Sequence, residues 1–194
     1  MALAPESLFD ADVPDGFRYE ADFLTRDEER SLAQAIARIE FSKFEMRGIV
    51  ARRRVAFFGR SYDTSTVVPP IPDFLTAVRT KAAAWAGVRP DAFAMALVNE
   101  YRPDAPIGWH RDAPQYDIVC GISLLSVCRM KFRPYMRPRE QAARGSAPRR
   151  ATHEVRLQPR SVYLLAGLAR SAYEHHIPAV NELRYSITFR TLRL

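Results

Sequence analysis

Residues 107–117 read IGWHRDAPQYD, and within them His110 and Asp112 stand two positions apart. Alternate side chains of an extended strand point to one side, whereas on a helix positions i and i+2 diverge by about 200°. His110 and Asp112 can therefore share one ion only on extended backbone. An imidazole and a carboxylate make two thirds of the 2-His-1-carboxylate set that holds non-haem Fe(II) while leaving coordination positions open. A third ligand must come from elsewhere, and YEHHIP, residues 173–178, supplies His175 and His176, half of the four histidines in the chain. Period-two geometry sends those two side chains to opposite faces, so one of them at most reaches the ion. An HxD pair alone is a weak signal, equally at home on a solvated surface.

The chain has 194 residues, 47% hydrophobic and 26% charged, which is the usage of a single soluble globular domain large enough to bury a core. No apolar run has membrane-spanning length, and no basic start precedes an apolar signal core, so the expectation is a cytoplasmic protein without a membrane partner. Cys120 and Cys128 lie in an apolar strand-like run without CxxC spacing and are expected to be reduced core residues. The net charge of +7 points to an anionic partner. Its cations gather in two stretches: Lys43, Arg47, Arg52, Arg53, Arg54 and Arg60 in the first, and residues 129–150 in the second.

Residues 1–15 are rich in Pro and Asp and read as an N-terminal arm. GFRYEADFL (16–24) predicts a short strand running into a helix. Thr25 and Glu28 fit a capping box, with Leu32, Ala35, Ile36 and Ile39 at helical spacing over about 26–40. Residues 41–63 alternate basic and apolar side chains, with Gly48 and Gly59 at turn positions, and predict a pair of strands. Asp73 is placed to cap a second helix through Ala86, buried through Phe74, Leu75, Val78, Ala82 and Trp85, with Gly87 and Pro90 as stop signals. DAFAMALVNEYRP (91–103) alternates as a strand, with Phe93, Met95, Leu97, Asn99 and Tyr101 on one side. Ile118–Val127 reads as a central strand, RMKF continues after it, and EVRLQPRSVYLLAG (154–167) reads as two strands joined at Pro159. RPREQAARGSAPRR (137–150) reads as an exposed basic loop able to grip phosphates. RYSITFR (184–190) is the most regular segment, with Arg184, Ser186, Thr188 and Arg190 on one face and Tyr185, Ile187 and Phe189 on the other. Many short strands after two early helices argue for an α+β, mainly β fold: a double-sheet jelly roll with the N-terminal helices packed on one sheet.

NEYRPDAPIGWHRD (99–112), then EHHIP, then RYSITFR, in that order, resembles the AlkB-type family of Fe(II)/2-oxoglutarate-dependent dioxygenases over about residues 16–192. The resemblance implies a double-stranded β-helix. It also implies His110, Asp112 and His175 as metal ligands, because the family's distal histidine is followed by one variable residue and then an aliphatic one, the slot His176 and Ile177 fill. By the same resemblance Asn99 and Tyr101 hydrogen-bond 2-oxoglutarate, and the polar face of Arg184, Ser186, Thr188 and Arg190 lines its pocket. Arg184 would pair with the distal carboxylate, for which a guanidinium is a bidentate clamp. Positions six apart on a strand are about 20 Å apart, so Arg190 belongs to the metal end, touching the cosubstrate's other end or Asp112.

The reaction implied couples O2-dependent decarboxylation of 2-oxoglutarate to hydroxylation of a methyl group on a base nitrogen, which collapses to formaldehyde and the unmodified base. A base in a duplex cannot reach a buried metal, so the target would be single-stranded or flipped-out nucleic acid. Residues 41–63 correspond to the family's nucleotide-recognition lid, and Phe57, Phe58 and Tyr62 among six cations have a base-stacking composition. The substrate-side candidates are Arg54, Phe58, Tyr62, Tyr116 and Asp117, with Trp109 and Tyr135 as further stacking partners. DNA-repair members of the family carry an acidic residue just after the HxD, where this chain has Ala113 and Pro114; Asp117 is the candidate substitute. Two alternatives stand beside demethylation by a monomeric enzyme: the same chemistry on a protein or small molecule, and a non-catalytic RNA-binding module.

Overall fold

The computed structural model describes residues 13–46, 49–60, 68–136 and 152–193. The strands are β1 (Phe17–Glu20), β2 (Ser42–Met46), β3 (Ile49–Gly59), β4 (Phe93–Tyr101), β5 (Ile107–His110), β6 (Tyr116–Leu124), β7 (Cys128–Pro134), β8 (His153–Leu157), β9 (Ser161–Leu165), β10 (Tyr173–Ile177) and β11 (Arg184–Leu192). Among the described residues three α-helices accompany them: α1 (Arg26–Ile36), α2 (Thr76–Ala86) and the short α3 (Gly167–Ser171). A seven-stranded sheet in the order β1-β9-β6-β11-β4-β3-β2 faces a four-stranded sheet in the order β5-β10-β7-β8. Every strand pairing among the described residues is antiparallel, and the fold is the expected jelly roll.

The alternation on β11 separates two cores. Tyr185, Ile187 and Phe189 turn outward and pack with Leu32 and Ile36 of α1 and Val78, Ala82 and Ala83 of α2. Between the sheets a second core collects Val119, Met130, Phe132, Leu157, Tyr163 and Ile177. The polar face of β11 lies on that inner side, and Arg184, Ser186, Thr188 and Arg190 are all buried. A half-polar strand covered on both faces is unusual, because such patterns normally leave one face in water.

The helices form much as expected, with informative differences. The Thr25 hydroxyl accepts from the Glu28 amide at 3.1 Å while the Glu28 carboxylate accepts from the Thr25 amide at 2.7 Å. Lys81 donates to the same carboxylate at 3.0 Å and ties α2 to α1. Helix α1 stops at Ile36, short of Ile39, which packs against the outer core from the turn beyond. Asp73 does not cap: it opens a 3-10 turn, Asp73–Leu75, and α2 starts at Thr76 without a side-chain cap. Gly87 closes α2 at φ 75°, a left-handed conformation that glycine adopts at little cost. The expected single face for Phe93, Met95, Leu97, Asn99 and Tyr101 breaks at its first member. A register shift between Arg190 and Thr191 rotates Phe93 to the helix side, where its ring stacks on Phe189 at 5.5 Å.

Cys120 and Cys128 are free and buried, on the outer and inner core respectively. Burial pushes the Cys120 thiol up to about 12. Among the described residues no helix is long and apolar enough to cross a membrane.

Gly121 of β6 pairs with Tyr163 of β9, and a Cβ there would collide with the Tyr163 ring. Gly121→Ala is expected to destabilise the protein by about 1–3 kcal/mol, the usual cost of overpacking a filled core. A urea titration measures it, and an unchanged midpoint would show that the Tyr163 ring moves freely.

Candidate metal centre

Strands β5 and β10 are antiparallel neighbours, and their register sets His175 directly opposite His110. The two rings lie 4.2 Å apart, centroid to centroid. Alternation along β10 turns His175 inward, where it is 7% exposed. His176 turns outward, stacks on Trp109 at 5.1 Å and places Nδ1 2.7 Å from the Ile107 carbonyl. Asp112 follows two residues after the end of β5, and its carboxylate lies beside His175. One ligand atom each from His110, Asp112 and His175 lie within 4.8 Å of one another, so modest side-chain movement brings all three onto one ion.

The protonation states suit a cation. His110 Nδ1 lies 2.9 Å from the Gly108 carbonyl. A carbonyl only accepts, so that nitrogen donates and Nε2 keeps its lone pair. Burial, aided by His110 alongside and opposed by Asp112, pushes the His175 imidazole down to about 3. The His110 imidazole is also lowered, by burial foremost, against the raising effect of Asp112. Burial alone would raise the Asp112 carboxyl, yet Arg190, His175 and His110 together hold it well below the usual carboxylate range. Its Oδ1 accepts from Arg190 Nε at 3.0 Å and Nη2 at 2.7 Å. Its Oδ2 is 3.7 Å from His175 Nε2, too far for a hydrogen bond.

Farther along the inner face, Arg184 is fully buried at 0% exposure. Its Nε donates to Ser123 Oγ at 3.0 Å and its guanidinium lies 5.1 Å from the Tyr101 ring centre. Both terminal nitrogens, Nη1 and Nη2, are buried, and among the described residues neither has a hydrogen-bond partner. A guanidinium is always charged, and a buried one left unpaired costs several kcal/mol. Two free, coplanar N–H groups are the complement of a carboxylate. Tyr101 and Asn99 sit across from Arg184 and Ser186 in the β4–β11 register. Thr188 Oγ1 accepts from Arg190 Nη1 at 2.8 Å, which steadies the guanidinium that holds Asp112.

The expected substrate-side residues divide differently. Arg54 and Phe58 lie on the outer face of β3: Arg54 pairs with Glu100 at 2.8 Å, and Phe58 packs against the helix-side core. Asp117 is exposed and 3.8 Å from Arg193. Tyr116 is buried, its ring 5.6 Å from the Arg190 guanidinium carbon, so it offers no stacking surface. Tyr62 and the basic loop 137–150 lie outside the described residues. Trp109 is on the outer side of β5, stacked with His176 and 4.3 Å from the Arg133 guanidinium carbon. Tyr135 carries Arg111 over its ring at 3.5 Å.

Two inward groups escaped sequence reasoning. Arg53, one residue before Arg54, donates to Asn99 Oδ1 at 3.3 Å. Arg170 of α3 donates to the carbonyls of Ala113 and Tyr116 and so pins the loop that follows Asp112. No sequence signal marks either, because both depend on which distant strand or loop lies alongside.

A jelly roll that gathers two imidazoles and a carboxylate at its open end, with a carboxylate-seeking arginine behind them, has the build of an iron- and 2-oxoglutarate-dependent dioxygenase. The chain belongs to the 2OG-Fe(II) oxygenase superfamily, whose pattern matches residues 19–190, and it is an oxidoreductase using Fe(II), 2-oxoglutarate and O2. It is AlkB-like: an Arabidopsis thaliana protein described as "Alkylated DNA repair protein ALKBH8 homolog" is 27% identical over 90% of this chain. The chain spans 54% of that relative's length. An uncharacterized protein of Acanthamoeba polyphaga mimivirus is 25% identical, covering 91% of this chain and 85% of its own. The solved structure of OsALKBH1 matches with a TM-score of 0.62 and 14% identity, covering 91% of this chain and 98% of its own. A Pseudomonas putida prolyl-4-hydroxylase matches at 0.61 and 14%, covering 92% and 93%. At that identity the two structures share the fold alone.

A neutral buried imidazole makes metal-free stability depend on pH. The folded His175 titrates near 3 against about 6.5 when unfolded. The unfolded chain therefore binds the extra proton first, and stability present above about pH 7 is lost as pH falls. The lowered Asp112 adds to the loss at the acid end. Metal-free protein is expected to lose of order 1 kcal/mol per pH unit between about pH 6 and 4, with a shallower slope in His175→Gln. Chemical denaturation at stepped pH checks this; an equal slope in the two proteins would contradict it.

Proposed function

We propose that the protein oxidatively demethylates N-alkylated bases in single-stranded or flipped-out nucleic acid, with His110, Asp112 and His175 holding Fe(II) and Arg184 holding 2-oxoglutarate. The residues present fit both groups. Two neutral imidazoles and an ionised carboxylate converge on one point, and the orphaned N–H groups of Arg184 lack the carboxylate that the cosubstrate brings. When bound, iron and 2-oxoglutarate supply O2-dependent hydroxylation of an unactivated methyl group, releasing succinate and CO2.

The protein's own residues orient and neutralise. Arg190 takes Asp112 Oδ1 with two N–H groups and leaves Oδ2 turned toward His175, so the carboxylate is ionised and aimed before any ion arrives. The Gly108 carbonyl keeps the His110 proton on Nδ1. Arg184 seats the distal carboxylate, with Tyr101, Ser186 and Asn99 around the cosubstrate chain. These buried groups exclude bulk water from that end.

One observation favours nucleic acid as the substrate: the β2–β3 hairpin, which carries the first basic stretch, brings Arg53 against Asn99 beside the buried polar face of β11. Arg133, from the second stretch, lies on the outer side of the small sheet, over Trp109 and paired with Glu174. Phosphates would contact the exposed cations of the hairpin, Lys43 and Arg52, and position the strand without specifying sequence. The β2–β3 hairpin is the proposed nucleotide-recognition element. The Arabidopsis relative's description as an alkylated DNA repair protein is in keeping with this reading.

The test measures succinate and formaldehyde released with Fe(II), 2-oxoglutarate and O2, with and without methylated single-stranded DNA or RNA. Wild type should release both in equal amounts on the methylated strands. Asp112→Ala should abolish turnover, and Arg184→Met should raise the KM for 2-oxoglutarate at least about tenfold by removing a charged pair. Succinate without formaldehyde would point to hydroxylation of a different substrate, and turnover surviving in Asp112→Ala would remove the metal assignment.

A further inference from the structure

One cation beside the centre is used by none of these steps. Arg53 projects from β3 toward β4, where its Nε donates to Asn99 Oδ1 at 3.3 Å, the long end of the range. Its guanidinium rests on the Phe44 ring, 4.6 Å from the centroid. The charged and titratable groups that act on it are the Tyr101 phenol and Arg190, and among the described residues no carboxylate pairs with it. Asn99 stands opposite Ser186 of β11, so the guanidinium lies beside the buried polar row of that strand. A half-buried cation with another cation for a neighbour is unfavourable unless acceptors arrive from outside.

The cosubstrate does not supply them. Arg184 lies across from Tyr101 in the β4–β11 register and is already matched to the distal carboxylate, whereas Arg53 reaches Asn99 from the opposite side of β4. What remains for Arg53 is the substrate. The carboxylate of the ligand cluster, Asp112, is taken by Arg190 on one oxygen and turned to the imidazoles with the other. Ala113 and Pro114, immediately past it, carry no charge. A base bearing a positive charge would meet Arg53 and Arg190 with no free anion to offset them. An uncharged base with ring carbonyls would offer Arg53 the acceptors it lacks, and an aromatic ring under the guanidinium leaves its edge free to donate.

Resting on the nucleic-acid reading above, we propose that Arg53, backed by Phe44, is the substrate-reading residue and selects uncharged, carbonyl-bearing N-methylated bases over cationic ones. Two single-stranded oligonucleotides of one sequence test this, the first with 3-methylthymine, which is uncharged with two ring carbonyls, the second with 3-methylcytosine, which is cationic at neutral pH. Formaldehyde release gives kcat/KM for each with wild type, Arg53→Met and Arg53→Glu, and a melting curve confirms that each variant is folded. Wild type should prefer 3-methylthymine by at least tenfold. Arg53→Met should bring the ratio toward one, and Arg53→Glu should reverse it, with the change in the oligonucleotide's KM.

A wild-type preference for 3-methylcytosine, or a ratio that survives Arg53→Met, overturns the assignment and leaves the nucleic-acid reading standing, since both strands are then consumed. A change confined to the KM for 2-oxoglutarate also overturns it, by making Arg53 a holder of Asn99. If neither strand is consumed while succinate is still released, the nucleic-acid reading falls and this inference with it.

Discussion

A buried guanidinium whose two terminal nitrogens find no partner among the described residues is a demand for an anion. Arg184 has no exposure, and its Nε donates to Ser123. The effective penalty for such a charge is several kcal/mol per ion, relieved only by a well-placed anion. The two-sheet architecture makes the demand. Helices α1 and α2 cover the outer face of the large sheet, and the small sheet covers the inner face, so every residue of β11 before Leu192 is buried. The alternation that places Ile187 and Phe189 in the outer core obliges Arg184, Ser186, Thr188 and Arg190 to point between the sheets.

The two arginines of that face solve their burial differently. Arg190 finds an internal anion in Asp112 and a hydroxyl in Thr188. Arg184 finds a hydroxyl and an aromatic ring but, among the described residues, no carboxylate. On the proposed assignment the first arginine prepares the metal ligand and the second receives the cosubstrate, so the same strand governs both ends of one cavity. Loss of either cation would be felt as misplacement rather than collapse, because neither belongs to the apolar clusters that hold the sheets together.

Much of this was legible in the sequence wherever the signal was local. The i, i+2 spacing of His110 and Asp112, the period of RYSITFR and the capping box at Thr25 depend on neighbours a few residues away, and the jelly roll is there as expected. Choosing His175 over His176 combined strand alternation with a resemblance to known motifs, and β10 does turn His175 inward. What local pattern does not encode is register. A slip of one residue moves every side chain to the other face, and in β3 that slip separates Arg53, beside Asn99, from Arg54, paired with Glu100 on the outside. The same cause turned Phe58 toward the helices and Phe93 toward Phe189. Tyr116 and Asp117, adjacent at the start of β6, part company for the same reason: one is buried under Arg190, the other exposed near Arg193.

An anaerobic crystal structure of the protein with Mn(II), as a redox-silent stand-in for iron, and 2-oxoglutarate tests both ends of the cavity at once. The ion is expected on His110, Asp112 and His175, with the distal carboxylate of the keto acid accepting from both terminal nitrogens of Arg184. An ion bound elsewhere, or a keto acid that leaves those two nitrogens unpaired, would contradict this assignment.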